Sequence, residues 1–365
     1  MYFIWLAAGC TVLATIISLL QIREHLIESR HPLLRKYTVR ILAMVPLYSL
    51  ESFLGMVFYR ESVGIGLVRE CYESVVLYSF YQFLVVSLGG SRNLSDMLAY
   101  KPPVHHTWPL HWMRPWSMGN TFLKLTTVGI LQYVPIKVLC SLAAAVTYMA
   151  GDYMNGRFEA RNAYPWITLI VNFSQMWALY CLFLFYLGAR EELAPIKPVA
   201  KFAAIKLIVF ATWWQSVSFA LAVHFGLLSA GMFGGCSDLR QKGNTLRCWT
   251  TEDVAQMLQD CLVCVEMLLF AIAHHFIFTV PEPLEYDQTR GEDWELSTSA
   301  DQQKRTYQNL RSAVALTDLV HDGKAARRPL QHESYNDYMG RVIDSHRHTS
   351  GFDGAHHYQQ GNDAL

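Results

Sequence analysis

Seven stretches of about 20 mostly apolar residues recur along this chain, enough in each case for one helical crossing of a bilayer. They lie near 2–20, 41–59, 65–88, 126–149, 165–187, 203–229 and 258–280. Hydrocarbon offers backbone N–H and C=O groups no water, so a spanning segment has to satisfy them within itself. The fold class that follows is all-α: a polytopic bundle of seven transmembrane helices. The first stretch, opening MYFIWLAAGC, has no basic residues ahead of it and is read as a retained span.

The composition agrees, with 52% hydrophobic and 16% charged residues, where soluble domains carry about 25% charged. A formal net charge of zero leaves no basic excess to neutralise phosphates, which argues against a nucleic-acid partner. Lys and Arg near the span ends set orientation. Twelve fall in the links after spans one, three and five, against six in the alternate links. The expected topology therefore has the N-terminus outside and the C-terminus in the cytosol. Residues 1–284 form the seven-span membrane domain. Residues 285–365 form a polar cytosolic tail, mostly disordered, with an amphipathic helix near 307–320 that aligns Leu310, Ala313, Val314 and Thr317.

The third stretch contains GLVRECYESVVLYSF, which puts Arg69, Glu70 and Glu73 on one helix face. Each charge at mid-membrane costs about 2.5–3.5 kcal/mol on insertion scales. Arg69 and Glu73 are four apart, so the spacing predicts that they pair and that Glu70 is left over. Other spans add Glu51, Lys137, Asn172, Gln175, Gln215 and Glu266. Lys206 and Asp260 lie within a turn of a span boundary and are expected to reach water. On that reading four carboxylates face two cations. Such a belt serves as a proton-coupling or substrate-facing site, or as interhelical hydrogen bonds that pin the bundle. Pinning is the simpler role for the amides Asn172, Gln175 and Gln215.

RECYES (Arg69–Ser74) with a following LGG (Leu88–Gly90) resembles the third-span motif of the organic solute transporter alpha-subunit and transmembrane protein 184 family. GILQYV (Gly129–Val134), NFSQMWALYCLFLFY (Asn172–Tyr186), PVAKFAAIKLIVFATWWQ (Pro198–Gln215) and EMLLFAIAHHFIF (Glu266–Phe278) are similar to its fourth to seventh spans, in order. The resemblance covers roughly residues 5–285 and implies seven spans with an outside N-terminus. In the alpha-subunit branch it also implies carriage of amphipathic organic anions such as bile acids and steroid conjugates. The alpha-subunit branch has adjacent cysteines in the link after span three. That link has none here, which places the chain nearer the broad transmembrane protein 184 branch.

Trp108, Trp112 and Trp116, spaced by four in that link, read as an interfacial segment. Cys236 and Cys248 are the only cysteines between spans six and seven and form a disulfide candidate, provided the link lies in an oxidising compartment. Cys261 and Cys264 read as packing. His274 and His275 point about 100° apart on a helix and make a poor metal pair. No nucleophile elbow, phosphate loop or kinase signature occurs, so neither an enzyme nor a cofactor is expected. The expected function is a transmembrane carrier or facilitator of amphipathic organic solutes, with Arg69, Glu70, Glu73, Asn172, Gln175, Gln215 and Glu266 binding substrate. The alternative is a seven-span receptor or trafficking scaffold that recruits partners through the tail. The expected partners are the lipid bilayer, the solute, and a second copy or small single-span subunit. The expected location is the plasma membrane or an endomembrane of the vacuolar or endosomal kind.

Overall fold

The computed structural model describes residues 2–29, 31–58, 62–108, 110–150, 163–228, 251–279 and 299–326. In chain order the helices are α1 (Tyr2–Glu28), α2 (Pro32–Leu42), α3 (Met44–Val57), α4 (Ser62–Ser87), α5 (Gly90–Ala99), α6 (Asn120–Leu131) and α7 (Tyr133–Ala150). They continue with α8 (Ala163–Gly188), the short α9 (Arg190–Leu193), α10 (Pro198–His224), α11 (Thr251–Ile277), α12 (Ser299–Val314) and α13 (Thr317–Ala326). No strand occurs among the described residues, where extended pairing is confined to a Val104–Trp116 bridge.

Two long crossings are broken in the middle, and proline explains both breaks. A proline removes one N–H and its ring collides with the carbonyl four residues earlier. Pro46 lies four residues after Leu42, where α2 ends, and Pro135 lies four after Leu131, where α6 ends. α2 with α3, and α6 with α7, are therefore each one crossing. A third break is sharper. α4 and α5 meet at 69°, at Gly89 and Gly90, whose φ values of 88° and 86° suit glycine.

Among the described residues six helical segments are long and apolar enough to cross a membrane, and the bent α4–α5 pair, taken as one span, makes a seventh. Their outward faces carry exposed large apolar side chains, among them Leu139, Leu142, Leu169, Phe173, Phe210 and Trp213. Such a surface suits hydrocarbon rather than water, so the molecule is an integral membrane protein with an all-α bundle. Several helices begin earlier than the apolar runs do: α2 at Pro32, α10 at Pro198 and α11 at Thr251.

Chain direction alternates from crossing to crossing, which gives the bundle an amino end, where Tyr2 starts α1, and a tail end, where α12 and α13 pack. Residues Met1–Gly323 make one compact unit. The carboxyl half of α4 runs through its core, with Val76, Leu77, Tyr78, Phe80, Tyr81 and Leu84 no more than 2% exposed. The helix expected near 307–320 falls on two helices, α12 and α13, separated at Ala315 and Leu316. The tail beyond Ala326 lies outside the described residues.

A candidate functional site on α4

The three charges of α4 each take a partner from a different helix. Arg69 Nη1 lies 2.9 Å from Glu51 Oε2 on α3. Glu70 Oε2 lies 3.1 Å from Lys137 Nζ on α7. Glu73 Oε1 lies 2.9 Å from Lys206 Nζ on α10, and Gln175 Nε2 of α8 approaches the same oxygen at 3.4 Å. The expected Arg69–Glu73 pair within α4 is therefore corrected. A same-helix pair would bring only about 0.2–0.5 kcal/mol and would leave Glu51 and Lys206 as unpaired charges in an apolar medium, a far larger penalty.

Lys206 and Asp260 also belong to the belt, contrary to the expectation that both reach water. α10 starts at Pro198 and α11 at Thr251, so each residue lies more than two turns inside its helix. Asp260 is 5% exposed and accepts from Gln256 Nε2 at 3.1 Å. Lys206 spans the gap with its four-carbon stem. The signal that could have found both was helix propensity ahead of the apolar run, in PVAKFAAIK and TEDVAQMLQ.

Lower in α11, Gln215 Nε2 of α10 donates to Glu266 Oε1, while Gln215 Oε1 and Glu266 Oε2 are buried without a hydrogen-bond partner. Among the described residues, three cations (Arg69, Lys137, Lys206) thus face five carboxylates (Glu51, Glu70, Glu73, Asp260, Glu266). Asp260 and Glu266 meet amides rather than cations. Asn172 stands apart from the belt. Its side chain is exposed and donates to Thr168 O of its own helix at 2.8 Å.

The belt occupies a gap between helices. The backbone of α10 packs along α11 and stands off from α4 and α8, leaving Lys206 and Gln175 to bridge the distance. Toward the amino end this gap is partly open: the Glu70 side chain is 50% exposed and that of Arg69 30%. Toward the tail end it closes on aromatic rings, with Phe80 and Phe202 centroids 5.7 Å apart and Tyr81 edge-on to Phe185 at 5.0 Å. The pairs line a polar gap that is open at Glu70, nearly closed at Glu73 and Lys206, and aromatic toward the tail end. Its pairs can exchange partners with an incoming charged group.

The cleft's walls are held by close contacts at its back. Gly129 of α6 lies so near α8 that a Cβ there would overlap the Cys181 thiol. Gln132 and Ser174 exchange hydrogen bonds, with Gln132 Nε2 donating to Ser174 O at 3.0 Å and Ser174 Oγ donating to Gln132 Oε1 at 2.8 Å.

The disulfide candidate, Cys236 with Cys248, lies outside the described residues. Cys261 and Cys264 are free thiols packed with Cys10, Ala7 and Met56. His274 is buried, whereas His275 lines an open groove of about 400 Å³ against Ile17, Gln21 and Glu24 of α1. No group of three His, Cys, Asp or Glu side chains among the described residues could hold a metal ion. Of the three spaced tryptophans, Trp108 and Trp112 are exposed. Trp116 is tucked edge-on to His106, with centroids 5.0 Å apart.

A family profile described as "Organic solute transporter Ostalpha" matches residues 3–283, which contain the whole belt. "Protein LAZ1" of Arabidopsis thaliana is 33% identical over 291 residues, covering 75% of this chain and 57% of the relative. "Protein LAZ1 homolog 2" of the same plant is 34% identical over 289 residues, 75% of this chain and 66% of the relative. A "Transmembrane protein 184 homolog" of Dictyostelium discoideum is 34% identical over 266 residues, 72% of this chain and 50% of the relative. The chain spans between half and two thirds of the length of these relatives. No solved structure matches.

Proposed function

The chain belongs to the organic solute transporter Ostalpha family, and we propose that it is a transmembrane carrier or facilitator of amphipathic organic solutes, namely steroid- or bile-acid-like anions or lipids. The observation that carries this reading is the way α4 presents three neighbouring charges to three separate helices across a partly open gap. A bundle that needed only pinning could use apolar packing and backbone-directed amides at lower desolvation cost. Paired charges do something amides cannot: an anionic headgroup can take Lys137 from Glu70, whose displaced carboxylate, half exposed, turns to water. The aromatic end of the gap then receives the hydrocarbon body of the solute. Glu266, which meets an amide and no cation, is the carboxylate this reading assigns to proton coupling.

In this reading the amino end faces outside and the tail end faces the cytosol, in the plasma membrane or an endomembrane. A second copy or a small single-span subunit is the partner. The test is uptake of a labelled steroid sulfate into vesicles containing the protein, with Glu70→Gln alongside. Uptake that the variant loses supports the reading. Equal uptake by protein-free vesicles sinks it. The rival, a receptor or scaffold acting through the tail, predicts loss of function on deleting 285–365 and none with Glu70→Gln.

A further inference from the structure

Helices α12 and α13 lie beyond the residues shared with the family, yet they are fastened to the bundle by charge. Arg40 of α2, 4% exposed, sits at the centre. Its Nε donates to Ala313 O at 2.8 Å and its Nη2 to Ala315 O at 2.6 Å, capping the carboxyl end of α12. The same guanidinium forks onto both oxygens of Asp318 at 2.7 Å, near the amino end of α13. Lys36 Nζ reaches Asp318 Oδ1 at 3.1 Å. A cation at one helix's carboxyl end and an acid at the next one's amino end both suit the helix dipoles.

The fastening extends to three crossings. Arg35 Nη2 donates to Asn309 Oδ1 at 2.7 Å, and Asn309 Nδ2 donates to Leu26 O of α1 at 3.3 Å. From α13, Asp322 accepts from the Tyr78 hydroxyl of α4 and from Gln82 Nε2 at 3.4 Å. Tyr72 of α4 donates to Arg40 O at 2.7 Å, which closes the circuit between α2 and α4. These helices carry Glu51's crossing and the three charges of the cleft.

We infer that α12 and α13 form an autoinhibitory clasp that fixes α4 against α1 and α2, so that α4 cannot part from α10 and the Phe80–Phe202 contact keeps the tail end of the bundle shut. The inference rests on the carrier reading for its consequence, because a carrier has to open each end in turn. A segment that binds only the tail-closed arrangement shifts the equilibrium toward it by its own binding energy. Breaking the Arg40–Asp318 fork frees the clasp, so the tail end opens more often and transport speeds up.

The test uses the full chain in vesicles with Asp318→Asn and, as the stronger disruption, Asp318→Lys. Amide exchange over 299–326 reports whether the clasp has come away. Val76, between Glu73 and Phe80 on the face of α4 that lines the gap and fully buried, is replaced by cysteine. Its labelling by a water-soluble maleimide, read site by site by mass spectrometry, reports whether the tail end has opened. The clasp predicts faster exchange over 299–326, labelling at position 76 at least about tenfold faster, and steroid sulfate uptake several-fold higher. A tail that stays protected even in Asp318→Lys overturns it, as does a released tail with unchanged labelling at 76. Faster labelling without any uptake keeps the clasp and counts against the carrier reading.

Discussion

Arg69 Nη1 lies 2.9 Å from Glu51 Oε2, while Glu73, one helical turn along α4, is held by Lys206 at the same distance. The charges of α4 therefore bind helix to helix instead of neutralising one another. Removing one member of a largely buried pair strands the other, at a cost of about 3–5 kcal/mol. Lys206→Met is thus expected to lower the thermal melting point of the purified protein sharply. Lys206→Met with Glu73→Gln should recover most of the loss. Glu70→Gln should also cost stability, because it leaves Lys137, whose side chain is 10% exposed, facing a neutral amide.

The seven crossings were legible because hydrocarbon imposes a length and an apolar composition that the sequence displays directly. The partners of the α4 charges were not. Spacing of four suggested Arg69–Glu73, and nothing in a linear sequence states that Lys206 arrives from α10. Helix ends were the second blind spot. The starts of α10 and α11 lie in mixed-polarity sequence, so the apolar runs alone place Lys206 and Asp260 nearer the surface than they are. Asn172 belongs by its position in the span to the same belt as Gln175, yet it turns outward to bond its own helix.

Gly129 carries a packing prediction. A methyl group there would overlap the Cys181 thiol, and overpacking of this kind costs about 1–3 kcal/mol. Gly129→Ala should lower the melting point, and adding Cys181→Ala should restore part of it. The alanine variant of Cys181 alone should stay close to wild type.

Asp318 carries a pH prediction. Burial pushes its carboxyl up, but the hydrogen bonds and charges of Arg40 and Lys36 outweigh that and hold it below its ordinary 3.8. A depressed carboxyl stabilises docking above its free value and loses that contribution as pH falls through the lowered one. Amide protection over 299–326, the observed exchange set against the intrinsic rate at each pH, should accordingly hold from neutral pH down to the usual carboxylate range and fall only below it. In Asp318→Asn it should be lower already at pH 7, with a much weaker acid dependence.

Glu266 meets Gln215 and no cation, and one of its buried oxygens has no partner. Glu266→Gln removes a carboxylate without stranding a cation, so the melting point should hold or rise. If the residue titrates during transport, the pH dependence of uptake should flatten in the same variant. A melting point several degrees lower would show that the carboxylate is structurally required.

The most direct measurement of the central account is steroid sulfate uptake by Glu73→Lys, Lys206→Glu and the double swap, each reconstituted at equal density. If the cleft between α4 and α10 is the solute's path, the single variants lose uptake, and the swap, which restores the pair in reverse, recovers much of it. Single variants that are inserted, folded and as active as wild type would contradict the account.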